Sequence, residues 1–127
     1  MENKKILIVD DVEFTIEFEN SIIESFMKEQ NIIIDVDVAY SLKEALNHIQ
    51  NNESCYDAMI IDMNLPDGSG VDIAKAALRK NIDTQIAALT IYPNQYIDEG
   101  RYFTLFLTKP IMPDEYKENL AYLLKLT

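Results

Sequence analysis

The stretch Ala58-Met59-Ile60-Ile61-Asp62-Met63-Asn64-Leu65-Pro66-Asp67-Gly68-Ser69-Gly70 decides how the rest of the chain is read. Its first four residues are apolar without alternation. That predicts a short strand buried on both faces, the habit of a parallel sheet. The strand ends on a carboxylate, Asp62. A turn-rich loop over residues 65–70 follows. Ile73, Ala74, Ala77 and Leu78 then recur at helical spacing. A buried strand, an acid at its carboxyl end, a loop and an amphipathic helix make one repeating unit of an α/β fold.

The same grammar holds on both sides. Upstream, Lys5-Ile6-Leu7-Ile8-Val9 is another short apolar run, closed by Asp10-Asp11. Phe14, Phe18, Ile22 and Phe26 repeat every four residues, with Ile23 and Met27 beside them and Glu13, Glu17, Glu24 and Lys28 between. This predicts an amphipathic helix whose buried stripe holds those phenylalanines. Residues 32–39 read as a second strand. Ser41-Leu42-Lys43-Glu44 is a capping box, and Leu42, Ala45, Leu46 and Ile49 form the stripe of the helix it opens. Downstream, 85–89 and 104–107 read as the fourth and fifth strands. Pro113 suits the first turn of a last helix, with Asp114 and Glu115 favourable to its dipole and Tyr116, Leu120, Leu123 and Leu124 on its buried side. Strands alternating with helices imply right-handed crossovers and a three-layer α/β architecture.

The chain has 127 residues, which suits one domain over residues 1–127, with 48% hydrophobic residues and no internal repeat or linker. Its formal net charge is −11, from 22 acidic and 11 basic residues. Such a surface repels phosphate backbones, so direct nucleic-acid binding is not expected; a metal cation or a basic partner is. No apolar run reaches the roughly 20 residues of a membrane helix, and the N-terminus lacks the features of a signal peptide. The single cysteine, Cys55, cannot form an internal disulfide and, standing before the third strand, is expected to be a packing residue and not a redox sensor. These features suit a cytoplasmic protein. His48 is expected at the surface. Asp35, Asp37, Asp67 and Asp72 are expected to be solvated or capping, and Met59 and Met63 to be core.

In a parallel sheet the carboxyl ends of the strands lie on one edge, where functional groups gather. Those ends here are Asp10-Asp11, Asp62, Thr90 and Thr108-Lys109-Pro110. Three carboxylates, a hydroxyl and an ammonium would meet there. A hard divalent cation such as Mg²⁺ relieves the repulsion among the acids while keeping several waters. The metal and a lysine would neutralise a transferring phosphoryl group. A carboxylate can act as the nucleophile and form an acyl phosphate.

Asp10-Asp11, Asp62, Thr90 and Lys109-Pro110, with Ile6-Leu7-Ile8-Val9 before the first pair and residues 63–70 after Asp62, resemble the receiver domains of two-component response regulators. The resemblance spans essentially the whole chain. It implies a flavodoxin-like, doubly wound, five-stranded parallel sheet of order 2-1-3-4-5. It also implies that Asp62 is the phosphoacceptor, fed by a histidine kinase or a histidine phosphotransfer protein. Mg²⁺, with Mn²⁺ as a substitute, would be held by Asp11 directly, by Asp10 mainly through water, by Asp62, and by the backbone carbonyl of Asn64. Lys109 would pair with Asp62 and then with the phosphoryl group. Thr90 would move toward that group, Phe106 would hold the aromatic switch position, and Pro110 would follow a cis bond. The phosphorylated form would act on a downstream protein target, and a homodimer would form through the region of the fourth and fifth strands. Such a domain assists its own phosphorylation and turns over no separate metabolite. Two other readings stand beside it: a haloacid-dehalogenase-type aspartyl phosphatase, and a pseudo-receiver that binds a partner without phosphorylation.

The chain departs from the family between Thr90 and Lys109. Ile91 stands where a small residue is common, and Tyr92 follows it; both are expected to gate access to Asp62 and slow dephosphorylation. Pro93 to Gly100 leaves room for a fourth helix of roughly two turns, below the usual length. Tyr92, Tyr96, Tyr102, Phe103 and Phe106 crowd into this stretch. Phe106 has no hydroxyl, so a switch through it rests on packing alone.

Overall fold

Alternate residues of a buried strand face opposite layers, and β1 (Asn3–Val9) shows the consequence of having no polar residue to expose over its second half. Ile6 and Ile8 enter one core, Leu7 and Val9 the other. The computed structural model describes residues 3–51, 55–96 and 98–126. In chain order the elements are β1, α1 (Glu13–Gln30), β2 (Ile33–Ala39), α2 (Leu42–Asn51), β3 (Ala58–Asp62), α3 (Gly70–Lys80), β4 (Gln85–Thr90), β5 (Leu105–Thr108) and α4 (Pro113–Leu123). A two-rung hairpin, Asn64–Leu65 against Gly68–Ser69, sits between β3 and α3. The five main strands are all parallel in the order β2-β1-β3-β4-β5, as expected of the flavodoxin-like fold.

One core lies between the sheet and the pair α1 and α4. It gathers Ile6, Ile8, Ile60 and Leu89 with Ile23, Phe26, Tyr116 and Leu120. The other lies under α2 and α3 and gathers Leu7, Val9, Met59, Ile61 and Ile86 with Ala45, Ile49, Ile73 and Ala77. Met59 and Met63 are core residues, as the sequence suggested. The register pairs Val9 with Ile61, Asp62 with Leu89, and Thr90 with Thr108. The strand ends that carry polar side chains are therefore level with one another.

Several expectations need correction. The buried face of α1 is Ile16, Glu19, Ile22, Ile23 and Phe26, whereas Phe14 is 77% exposed and Phe18 lies at the rim. A strict four-residue spacing drifts about 40° per step around a 3.6-residue helix, so Phe14 ends far from Phe26. Ser41 caps α2 through the Glu44 N–H at 3.1 Å, but Glu44 Oε1 accepts from the N–H of Tyr40, one residue earlier than a capping box requires. Asp67 completes that cap from outside, accepting from the N–H groups of Leu42 (2.8 Å) and Lys43 (3.1 Å).

Asp37 is not simply solvated: it accepts the Tyr56 hydroxyl at 2.6 Å. His48 is half-buried at the edge of α2, with Nε2 3.1 Å from the Val38 carbonyl oxygen. Cys55 is exposed rather than packed. The short fourth helix is replaced by two 3-10 turns, Pro93–Tyr96 and Gly100–Tyr102. Among the described residues no helix is long and apolar enough to cross a membrane.

Candidate functional site

Asp10 follows β1 directly. Its N–H donates to the Ala39 carbonyl at 3.0 Å, which extends the β1–β2 ladder by one rung and holds the side chain inside. Oδ1 accepts from the Val12 N–H at 2.9 Å. Oδ2 is buried and has no hydrogen-bond partner among the described residues. Burial pushes the Asp10 carboxyl up to about 6; the Val12 N–H opposes that shift, and the charge of Asp62 adds to it. Asp11 is exposed beside it.

Asp62 closes β3 and is 3% exposed. Its Oδ1 accepts from the Asn64 N–H at 3.0 Å, a local turn that fixes the carboxylate at the strand end. Its Oδ2 faces Lys109 Nζ at 3.3 Å. Lys109 comes off β5, where its N–H donates to the Thr90 carbonyl at 3.0 Å, and its bond to Pro110 is cis, as expected. One carboxylate oxygen from each of Asp10, Asp11 and Asp62 lies within 4.8 Å of the others.

A hard cation fits this donor set. The cluster holds three acids, and the Lys109 ammonium pairs with Asp62. The unpartnered Oδ2 of Asp10 is an acceptor whose burial has a cost until something positive meets it. Mg²⁺ binds oxygen ligands and is commonly held by one or two carboxylates. Asn64 is exposed next to this cluster.

Thr90 is buried at the end of β4, and its Oγ1 accepts from the Tyr92 N–H at 3.1 Å. Ile91 and Tyr92 are 59% and 63% exposed, so neither ring nor branched chain is packed into the site in this conformation. Phe106 is half-buried on β5. Its ring centre is 5.5 Å from that of Phe103, and both pack on the small cluster of Met63, Val71 and Ala88 with Tyr102. The side chain of Tyr96 lies outside the described residues.

Sequence reading missed Glu19. It is fully buried on α1, with Oε1 accepting the Tyr116 hydroxyl at 2.8 Å and Oε2 without a partner among the described residues. Burial raises its carboxyl to about 8, opposed by the Tyr116 bond and aided by the charge of Asp10. The signal was present: Glu19 stands three residues after Ile16 and three before Ile22, on the apolar stripe.

The family model of the response regulator receiver domain matches residues 6–121 of this chain. Over 98 residues the chain is 32% identical to the response regulator protein PilR of Pseudomonas aeruginosa, covering 73% of this chain and 21% of that protein. The chain thus spans about a fifth of the length of that curated relative. A receiver domain from Clostridium thermocellum superposes with a TM-score of 0.81 at 21% identity, over 97% of this chain and 95% of its own. The Francisella response regulator 1452 receiver domain gives 0.75 at 29% identity, over 98% of each chain. The Thermotoga maritima response regulator TrrA, solved in complex with Mg²⁺ and BeF, gives 0.74 at 28% identity, over 95% of this chain and 99% of its own.

Proposed function

Because this chain belongs to the response regulator receiver domain family, we propose that it is a phosphoacceptor switch in two-component signalling, with Asp62 as the acceptor. The observation that carries the reading is the Asp10–Asp11–Asp62 cluster with Lys109 Nζ 3.3 Å from Asp62. The donor is a phosphohistidine on a sensor kinase or a phosphotransfer protein. An oxygen of Asp62 attacks phosphorus, the P–N bond to the donor imidazole breaks, and the imidazole leaves with the electron pair. The product is an acyl phosphate on Asp62.

Each side chain has a task derived from its place. Lys109 pairs with Asp62 before transfer and offsets phosphoryl charge after it. Asp10, Asp11, Asp62 and the Asn64 carbonyl would hold Mg²⁺, with Mn²⁺ as a substitute, and that ion supplies neutralisation of phosphoryl oxygens. Thr90 Oγ1 accepts one bond here, which leaves its O–H to donate to a phosphoryl oxygen. Phe106, half-buried against Phe103, turns inward as Thr90 moves, changing the surface of β4 and β5. Ile91 and Tyr92, beside Thr90, gate water once the phosphoryl group is in place. The whole of residues 1–127 acts as this one domain, in the cytoplasm. It passes the signal to a protein target and self-associates through the β4–β5 region. The family match supports this reading over a dedicated aspartyl phosphatase.

Intact mass after treatment with acetyl phosphate, with and without Mg²⁺, tests the reading on wild type and Asp62→Asn. The expected result is a Mg²⁺-dependent gain of one phosphoryl group that the variant does not show, held longer than in Ile91→Ala and Tyr92→Ala. Absence of any gain, from acetyl phosphate and from a phosphohistidine donor alike, favours the pseudo-receiver reading.

A further inference from the structure

The crossover from β4 to β5 departs from the layer plan of its own sheet. Parallel neighbours ordinarily connect through a helix packed on the sheet. Residues 91–104 supply the length for one, yet among the described residues they form two short 3-10 turns, Pro93–Tyr96 and Gly100–Tyr102. One flank of α3 is therefore left, among the described residues, without a full helix beside it. Lys75, Leu78 and Arg79 lie on that flank, and Ile82, just past its end, continues the i, i+3, i+4, i+7 line.

Arg101 and Tyr102, from the second 3-10 turn, make the opposite wall of an open groove of about 500 Å³. Three of these six residues are cations and none is an acid, on a chain of net charge −11. Asp72, Asp83, Asp98 and Glu99 are near in sequence but do not line it. The cations are arrayed about one ring: Lys75 Nζ is 5.3 Å and the Arg101 guanidinium 4.7 Å from the centre of Tyr102, and Arg101 Nη2 donates to the Tyr102 hydroxyl at 2.8 Å. At the groove's mouth Ile82 is 76% exposed.

We infer that this groove is a docking site for an acidic amphipathic helix of a partner protein. Its length suits about two helical turns, the span of an i to i+7 ridge. Leu78 and Ile82 offer an apolar floor to the partner's stripe, beside the Tyr102 ring that Lys75 and Arg101 cover. Lys75, Arg79 and Arg101 flank that floor and meet carboxylates on either side of it. The rest of the surface, being acidic, repels the same helix, which places the partner here by charge as well as by shape. The site is separate from Asp62 and does not depend on phosphorylation.

The test uses the full chain, ¹⁵N-labelled and unphosphorylated. The probe is a synthetic amphipathic helix with leucines on one stripe and glutamates on its flanks; the control replaces every glutamate by lysine. The expected result is amide shifts confined to residues 75–82 and 101–103 with the glutamate peptide, and none with the lysine peptide. Arg79→Glu combined with Arg101→Glu, both at exposed positions, should weaken binding at least tenfold while the amide spectrum away from residues 75–82 and 101–103 keeps its dispersion, showing that the fold is retained. Ile82→Ser should weaken it with charge unchanged. Equal binding of the two peptides, shifts that map instead to 105–108 and α4, or full affinity in the double variant would overturn the assignment. So would concentration-dependent shifts at 75–82 without peptide, which would give the groove to a second copy of this chain.

Discussion

Glu19 sits on the sheet-facing side of α1 with one carboxylate oxygen bonded to Tyr116 and the other unpartnered. Its folded value of about 8 lies above the ordinary 4.5, and the phenol of Tyr116 is itself held well above its usual range by burial and by Glu19, so Tyr116 remains the donor. The native state therefore binds this proton more tightly than the unfolded chain does. Stability falls as pH rises from the ordinary carboxylate range to about 8, and the loss is complete above it. At about 1.4 kcal/mol per pKa unit, the loss is on the order of a few kcal/mol. Glu19→Gln keeps an acceptor for Tyr116 and cannot ionise. Its melting temperature should exceed that of wild type by a margin that widens from about pH 5 to about pH 9, followed by circular dichroism. Asp10 titrates near 6 in both proteins, below the range in which Glu19 loses its proton, so the two steps are separated along the pH axis. A margin that does not vary with pH would show that Glu19 does not titrate there. Residue type explains what could be read in advance: Asp62 and Lys109 end strands, where polar groups have only one edge to occupy. Glu19 carries a surface residue's identity at a core position, and composition gives no warning of that.

At the level of elements, the strands were the most legible part, because four apolar runs without alternation, with a fifth that alternates Ile34, Val36 and Val38 with Asp35 and Asp37, have few other homes than a parallel sheet with one half-exposed edge strand. Helix faces were less so: the four-residue phenylalanine series drew attention from the true stripe of α1, which includes Ile16 and Glu19. The crossover after β4 was harder still, since 14 residues could hold two turns of helix, and local sequence does not say whether packing will support them. The start of α3 shows how closely elements constrain the site. A Cβ built on Gly70 would lie 2.8 Å from both Ile61 Cγ2 and Met63 Sδ, and 3.2 Å from the Asp62 carbonyl oxygen. Gly70→Ala should therefore cost roughly 1–3 kcal/mol by overpacking, measured by urea denaturation. It should also slow phosphorylation of Asp62, because relief of the contact displaces the end of β3. Unchanged stability and rate would mean that Ile61 and Met63 yield without moving the strand.

For the whole molecule, charge is the quantity that the sequence states without ambiguity. A net −11 spread over 127 residues opposes the compact state, and three of those acids converge at one strand edge. Added NaCl should raise the melting temperature by screening this repulsion. MgCl₂ at equal ionic strength should raise it further in wild type through binding to the folded state, and should lose that extra effect in Asp11→Asn. Equal responses to the two salts in wild type would count against a specific cation site. The layout of the sheet has one more use. Cys55 is exposed at the amino end of β3, whereas Asp62 closes the same strand at its carboxyl end, roughly 15 Å or more away. As the chain's single thiol, it offers one attachment point for a maleimide dye, at the pole opposite the acidic cluster. A fluorophore there could follow the switch in real time while leaving every group that performs it unmodified.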